Sequence, residues 1–117
     1  MASEKMKRNV ETKTLEVGQA VTGRYLGKSA QEVPDRDTGE LKQREKLIFL
    51  NVSKTPAGGY SDDVTGSRFA LWSDAGLRAS FADALIQERE VVEITRLEQK
   101  ELSGGRRMNQ YDIFSYS

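Results

Sequence analysis

Apolar and polar positions alternate along most of this chain, interrupted by one stretch of helical period. Residues 15–33 read as one long, bent strand, in which Val21, Gly23 and Tyr25 alternate with Thr22, Arg24 and Leu26. Gly18, Gly23 and Gly27 punctuate it, and glycine inside a strand marks a bulge or a sharp bend, as at a barrel corner. Residues 34–40 hold Pro34, Asp35, Asp37 and Gly39, the chemistry of a turn. A second strand follows over 41–52. Its first half, Lys42-Gln43-Arg44-Glu45-Lys46, is polar, and its second, Leu47-Ile48-Phe49-Leu50, is continuously apolar. That contrast predicts one end in solvent and one end buried on both faces. Residues 53–66, with Pro56, Gly58, Gly59 and Gly66, read as a long polar loop, and Arg68-Phe69-Ala70-Leu71-Trp72 as a short third strand.

The period then lengthens. Ser73 or Asp74 is placed to cap a helix whose apolar stripe is Leu77, Phe81, Ala84 and Leu85, at i, i+4, i+7 and i+8. Gly76 weakens its first turn by about 1 kcal/mol relative to alanine, so the helix leans on tertiary packing. A hairpin ends the chain: residues 91–97 climb, 103–107 turn through Gly104 and Gly105, and 108–114 return. The order is three strands, one helix, two strands. This predicts a mainly β chain, a five-stranded OB-fold (Greek-key barrel) with one α-helix between strands 3 and 4. Other small α+β folds share such a pattern, but the glycine-punctuated first strand and the helix position favour the barrel. Residues 1–13 are polar and lysine-rich and read as a flexible N-terminal arm, leaving 14–117 as a single domain.

Composition narrows the chemistry. The 117 residues suit one domain, and 37% hydrophobic with 31% charged residues describes a polar-surfaced chain. No apolar run approaches the roughly 20 residues that span a bilayer, and no apolar segment follows the charged N-terminus, so neither a membrane span nor a secretory signal is expected. There is no cysteine and no histidine. Disulfides, thiolate chemistry and the commonest general base and metal ligand are therefore missing, so no metal, no cofactor and no enzyme activity are expected. Lysine plus arginine equals aspartate plus glutamate at 18 each. A neutral total does not announce a nucleic-acid partner, yet it permits one if charge is segregated by face or loop.

Three motifs tempt and fail. Asp37-Thr38-Gly39 matches the aspartic-protease triplet, but it sits between Arg36 and Glu40 in a turn, without the dry paired carboxylates that chemistry needs. Gly27-Lys28-Ser29 echoes a phosphate-binding loop, but Thr22 stands where that motif requires glycine, and Pro34 follows rather than a helix. Asp62-Asp63 could hold a hard cation, though a solvated loop explains it as well.

Several stretches together resemble the small OB-fold single-stranded DNA-binding proteins of tailed bacteriophages. They are residues 17–25, Phe69-Ala70-Leu71-Trp72-Ser73, Leu77 and Leu85 of the helix, Val91-Val92-Glu93-Ile94, and Tyr111-Asp112-Ile113-Phe114. The resemblance spans about 17–116 and rests mostly on hydrophobic residues and glycines. It implies sequence-independent binding and protection of single-stranded DNA in phage replication or recombination, in the cytoplasm of a bacterial host. A homodimer and replication or recombination proteins are the further partners it implies. Such proteins often end in an acidic tail that recruits partners. Asp112-Ile113-Phe114-Ser115-Tyr116-Ser117 departs from that pattern, so recruitment through a tail is not carried over.

Single-strand binding stacks bases on aromatic rings over a basic groove, at about 1–3 kcal/mol per base. In an OB-fold the second and third strands and the first and fourth loops form that surface. Lys42, Arg44 and Lys46 alternate on one face of the second strand, and Arg68, Arg106 and Arg107 map to the same region, with Arg24 and Lys28 on the first strand. The candidate stacking rings are Tyr25, Tyr60, Trp72 and Tyr111; Phe69, Phe81 and Ile113 are assigned to the core. The neutral total charge supports a rival reading, an OB-fold protein-interaction module without nucleic-acid binding. An RNA-binding barrel ranks lower, because the aromatic-rich strand motif of cold-shock domains is not evident.

Overall fold

Strand-forming alternation carries through most of the chain, and the computed structural model, which describes residues 10–116, is mainly β. The strands are β1 (Val10–Lys13), β2 (Ala20–Pro34), β3 (Leu41–Lys54), β4 (Tyr60–Asp62), β5 (Arg68–Trp72), β6 (Val91–Glu101) and β7 (Arg107–Ser115). One helix, α1 (Ala75–Ala84), lies between β5 and β6 as the sequence predicts. Among the described residues no helix is long and apolar enough to cross a membrane.

The expected five-stranded barrel is corrected in two respects. Among the described residues there are seven strands, and the sheet is open: its order runs β1-β5-β3-β2-β6-β7, with β4 paired to the far end of β3. β1 pairs parallel with β5, Val10 opposite Arg68 and Lys13 opposite Leu71. The flexible arm expected over 1–13 therefore gives way to strand from Val10 onward, and residues 1–9 lie outside the described residues. Val10 and Thr12 are β-branched and suit a strand, but a four-residue segment needs a partner, and that partner lies far along the chain. β4 arises inside the expected loop 53–66, where Thr55 N donates to Gly59 O at 2.8 Å and brings Tyr60 opposite Lys54.

The core is aromatic. Phe49 and Phe69 are fully buried and stack with ring centroids 5.0 Å apart. Tyr25 and Phe81 meet edge to face at 5.1 Å, and Leu47, Leu71, Leu77, Val92 and Ile94 complete the cluster. Fully burying a side chain of this size contributes about 1.5–3 kcal/mol. Gly23 sits under these rings: a Cβ there would lie 2.7 Å from Phe69, so the position admits no side chain.

Asp74 caps α1, accepting from Leu77 N at 2.8 Å. Leu77 and Phe81 are buried, but the stripe stops there. Leu85 turns left-handed with φ of 54° to end the helix and is 78% exposed, and Ile86 packs against the core instead. Gly76 is buried against β7, where a Cβ would come within 1.7 Å of the Asn109 carbonyl oxygen. Glycine is what lets the first turn of α1 lie directly on the strand backbone.

A bulge in β2 sets which side chains share a face. Tyr25 pairs with Phe49 and Gly27 with Ile48, leaving Leu26 as the extra residue, and Gly27 takes φ of +119°. Beyond the bulge the alternation is inverted, because side chains of a strand change face with every residue inserted.

Candidate functional site

The register sorts charge by face. Opposed residues of neighbouring strands point to the same side of a sheet, so Ser29, Gln31 and Val33 of β2 share a face with Lys46, Arg44 and Lys42 of β3. Lys46 lies opposite Trp72, and Leu50 opposite Arg68, which brings β5 into the same face. Thr12 of β1 lies opposite Ala70 and joins it. Four cations, three on β3 and one on β5, thus share a face with one indole. Three neighbouring acids fall on the other side, since Glu45 alternates with Lys46, Glu32 is opposite Gln43 and Glu11 is opposite Phe69, while Asp35 and Asp62 pair with Lys42 and Arg24. A chain with no net charge therefore carries a face that is basic around Trp72, at Arg44 and Lys46.

Trp72 is the centre of that face. The Arg44 guanidinium lies 4.2 Å from the centre of its ring system and the Lys46 ammonium 4.5 Å. Such cation–π contacts contribute about 0.5–1 kcal/mol each at exposed sites. Lys46 Nζ also donates to Thr12 Oγ1 at 2.9 Å, so β1 steadies the cation over the ring. Trp72 and Lys46 are half-buried and Arg44 is exposed, leaving the assembly open to a ligand. Arg68 is half-buried on the same face, about 13 Å from Trp72 along the strand by strand rise, and its Nε is buried without a hydrogen-bond partner. Lys42 is ion-paired with Asp35. That pairing, with the turn N–H of Asp37, holds the Asp35 carboxyl below the usual range. Exposed pairs of this kind are worth about 0–1 kcal/mol, so Lys42 can be recruited elsewhere at little cost.

The structure places the remaining sequence candidates apart from this assembly. Tyr25 is 5% exposed and belongs to the core, where burial and then the charges of Glu45 and Glu88 push its phenol up. Arg24 is on the outer face but committed: its Nε donates to Asp62 Oδ1 at 2.7 Å and its Nη1 to Arg89 O at 2.6 Å. The bulge turns Lys28 to the inner face, opposite Leu47, where it lies 3.8 Å from Glu45. Tyr60 pairs with the ring of Tyr116 at 5.2 Å, beside Glu93, away from the cations. Arg106 and Arg107 are exposed at the β6–β7 turn, and β2 and β6 separate them from β3 in the sheet order.

Tyr111 is half-buried and faces inward. Its hydroxyl donates to Asp74 Oδ2 at 2.7 Å, and burial, then this bond, pushes its phenol up to about 12. It belongs to a polar network that sequence reasoning missed apart from the cap. Asn109 Nδ2 donates to Asp74 Oδ2 at 2.9 Å, Arg96 Nη2 to Asn109 Oδ1 at 3.1 Å, and Arg96 Nη1 to Leu15 O at 2.6 Å. The network ties the start of α1 to β6, β7 and the segment after β1.

Ser29, Gln31 and Thr12 are the other residues missed. The alternation in β2 would have shown the first two had the bulge been counted. Among the described residues, no group of three or more acidic side chains is gathered as a metal would need. Comparison with protein-family models, curated proteins and solved structures yields no match.

Proposed function

We propose that this chain binds single-stranded DNA without sequence preference, coating it during phage replication or recombination in the bacterial cytoplasm, as a binding protein rather than an enzyme. The observation that carries this reading is the Trp72 assembly: a half-buried indole under two cations, on a sheet face from which Glu32 and Glu45 point away. Bases stack on the ring or on the Arg44 plane, and Lys42, Lys46 and Arg68 meet the phosphates. The strand order supports an OB-fold at the centre of the sheet. With β1 and β4 set aside, five strands remain, the helix falls between the third and fourth of them, and the partly open form of that barrel suits a sheet with free ends. The cation row then lies on the second and third of those strands, the face that binds oligonucleotides in that fold.

The test is a titration with a fluorescent single-stranded oligonucleotide at two salt concentrations. Binding should weaken as salt rises, and Trp72→Ala should cost about 1–3 kcal/mol, roughly 5- to 150-fold in Kd. No binding at low salt, or equal affinity for duplex, refutes the proposal.

A second reading, a protein-interaction module, draws on one observation. Phe114 is 56% exposed and Tyr116 48% exposed at the end of β7, a terminal strand of the sheet. A homodimer through this edge, or docking of a replication or recombination protein, would cover them. Sedimentation of the wild type and of Phe114→Ser separates the two readings, since only the second predicts an assembly that this change disrupts.

A further inference from the structure

The basic face has a border. Arg24 of β2 lies opposite Leu50, and Leu50 lies opposite Arg68, so one outward row crosses three strands with a cation at each end. By strand spacing the two arginines stand about 10 Å apart. The next outward positions carry the opposite sign. On β3 that position is Val52, with Asp62 of β4 opposite it, and on β2 it is Thr22, with Glu93 of β6 opposite it. Arg24 is therefore the last cation of β2 on this face before two acids.

Asp62 reaches back across that border. Its Oδ1 accepts from Arg24 Nε at 2.7 Å, while Arg24 Nη1 donates to Arg89 O at 2.6 Å. The pair is open to solvent, with the Asp62 side chain 45% exposed and that of Arg24 26%. A carboxylate oxygen on a guanidinium takes the place that a phosphate oxygen would take, in the same charge-assisted geometry. The bond to Arg89 O holds the guanidinium from a second direction, so it keeps its position whichever anion it meets. β4, which delivers Asp62, is a three-residue strand paired with β3, and its Ser61 and Asp62 are exposed. The strand adds little to the core, and what it brings to the face is a carboxylate.

We propose that Arg24 is a phosphate-binding residue of the basic face and that Asp62 masks it. The inference rests on the single-strand-binding reading. The carboxylate competes with the strand for one guanidinium, and so withholds one contact from a strand that runs from Trp72 past Arg68. An exposed ion pair withholds up to about fivefold in affinity, about 1 kcal/mol, so the mask lowers affinity without closing the face. A coat on single-stranded DNA has to be surrendered when the strand is used. An internal anion at the end of the path favours that release.

The experiment measures binding of a fluorescent oligothymidylate by anisotropy over a range of salt, for the wild type, Asp62→Asn, Arg24→Gln and the double variant. Asparagine keeps an acceptor for Arg24 Nε and removes only the charge. Asp62→Asn should tighten binding about fivefold near 0.15 M salt and steepen the slope of log K against log salt by about 0.7, one further phosphate contact. In the Arg24→Gln background the same change should leave the slope as it was and the affinity within about twofold, since charges more than about 8 Å from the strand are screened. Equal gains in both backgrounds, or no gain in either, overturn the inference and leave the binding function standing, because Asp62 then acts by its charge alone or not at all. Absence of binding by all four chains overturns both. Thermal melts establish that each chain is folded, and if Arg24→Gln does not fold, Arg24→Met, which keeps the packed stem, takes its place.

Discussion

Replacing Gly76 by alanine should unfold this protein more readily, although every local rule favours the change. Alanine is about 1 kcal/mol better than glycine in a helix interior. Yet the added Cβ would stand 1.7 Å from Asn109 O and 2.7 Å from the carbonyl carbon, both backbone atoms that no rotamer can move aside. α1 must lift from β7. Overpacking of this kind costs about 1–3 kcal/mol. The lift also strains the Asp74 bonds to Asn109 and Tyr111 and the Ser80 Oγ bond to Tyr111 O. Hydrogen bonds to a charged group are worth about 1.5–3 kcal/mol each. After the gain in propensity, a net loss of about 3–5 kcal/mol is expected, against total stabilities of about 5–15 kcal/mol for such domains. At roughly 4 °C per kcal/mol for a chain of this size, Tm should fall by about 12–20 °C. Thermal and urea unfolding followed by circular dichroism measures it. Ala79→Gly, at an exposed position of the same helix, provides the reference at about 1 kcal/mol lost. A Gly76→Ala protein as stable as the wild type would refute the close seating of α1 on β7.

Removing the charges of Arg44 and Lys46 together should reduce the slope of log K against log salt by about 1.4, two phosphate contacts at about 0.7 each for a single strand; an unchanged slope means that they do not meet phosphates. Tyr25→Phe should leave oligonucleotide affinity unchanged, whereas Tyr25→Ala should cost about 3–5 kcal/mol of stability; weakened binding by folded Tyr25→Phe contradicts its assignment to the core. The Tyr111 phenol titrates at about 12 in the folded protein against 10.0 for a free tyrosine. The folded state keeps a proton that the unfolded state releases, so stability from this residue is complete below about pH 10 and declines as pH rises toward 12. Tyr111→Phe should flatten that decline in alkaline urea melts, with a residual slope from Tyr25 and Tyr116, whose phenols are also pushed up; an unchanged slope excludes Tyr111 as the source.

What could be read from the sequence follows the range of the interactions involved. β5 and the Asp74 cap were legible because alternation and capping are local. The cation row on β3 was legible for the same reason, and its register with Trp72 follows once β3 and β5 are paired. Lys28 was misread because one inserted residue, Leu26, reverses the face of everything after it, and the glycines announce a bulge without saying which side of it a side chain falls. Tyr25 and Tyr111 carry the same phenol as a stacking residue; only the three-dimensional neighbours, Phe81 for one and Asp74 for the other, assign them elsewhere. β1 and the Arg96 network were illegible because they join segments that are remote in sequence and individually too polar to suggest order.

β1 has a consequence for how the molecule opens. Four residues hold it, three of them exposed, in a parallel pairing that forms only after β5 exists. A strand attached late and by so few bonds is the first to detach, and its amides should exchange with solvent ahead of those of β3. Because Thr12 bonds the ammonium of Lys46, each detachment removes one of the contacts that hold that cation in place. The half-buried ring would thus sit beside a cation that is alternately tethered and free to turn toward a ligand, on the timescale of local unfolding and with no movement of the sheet beneath it.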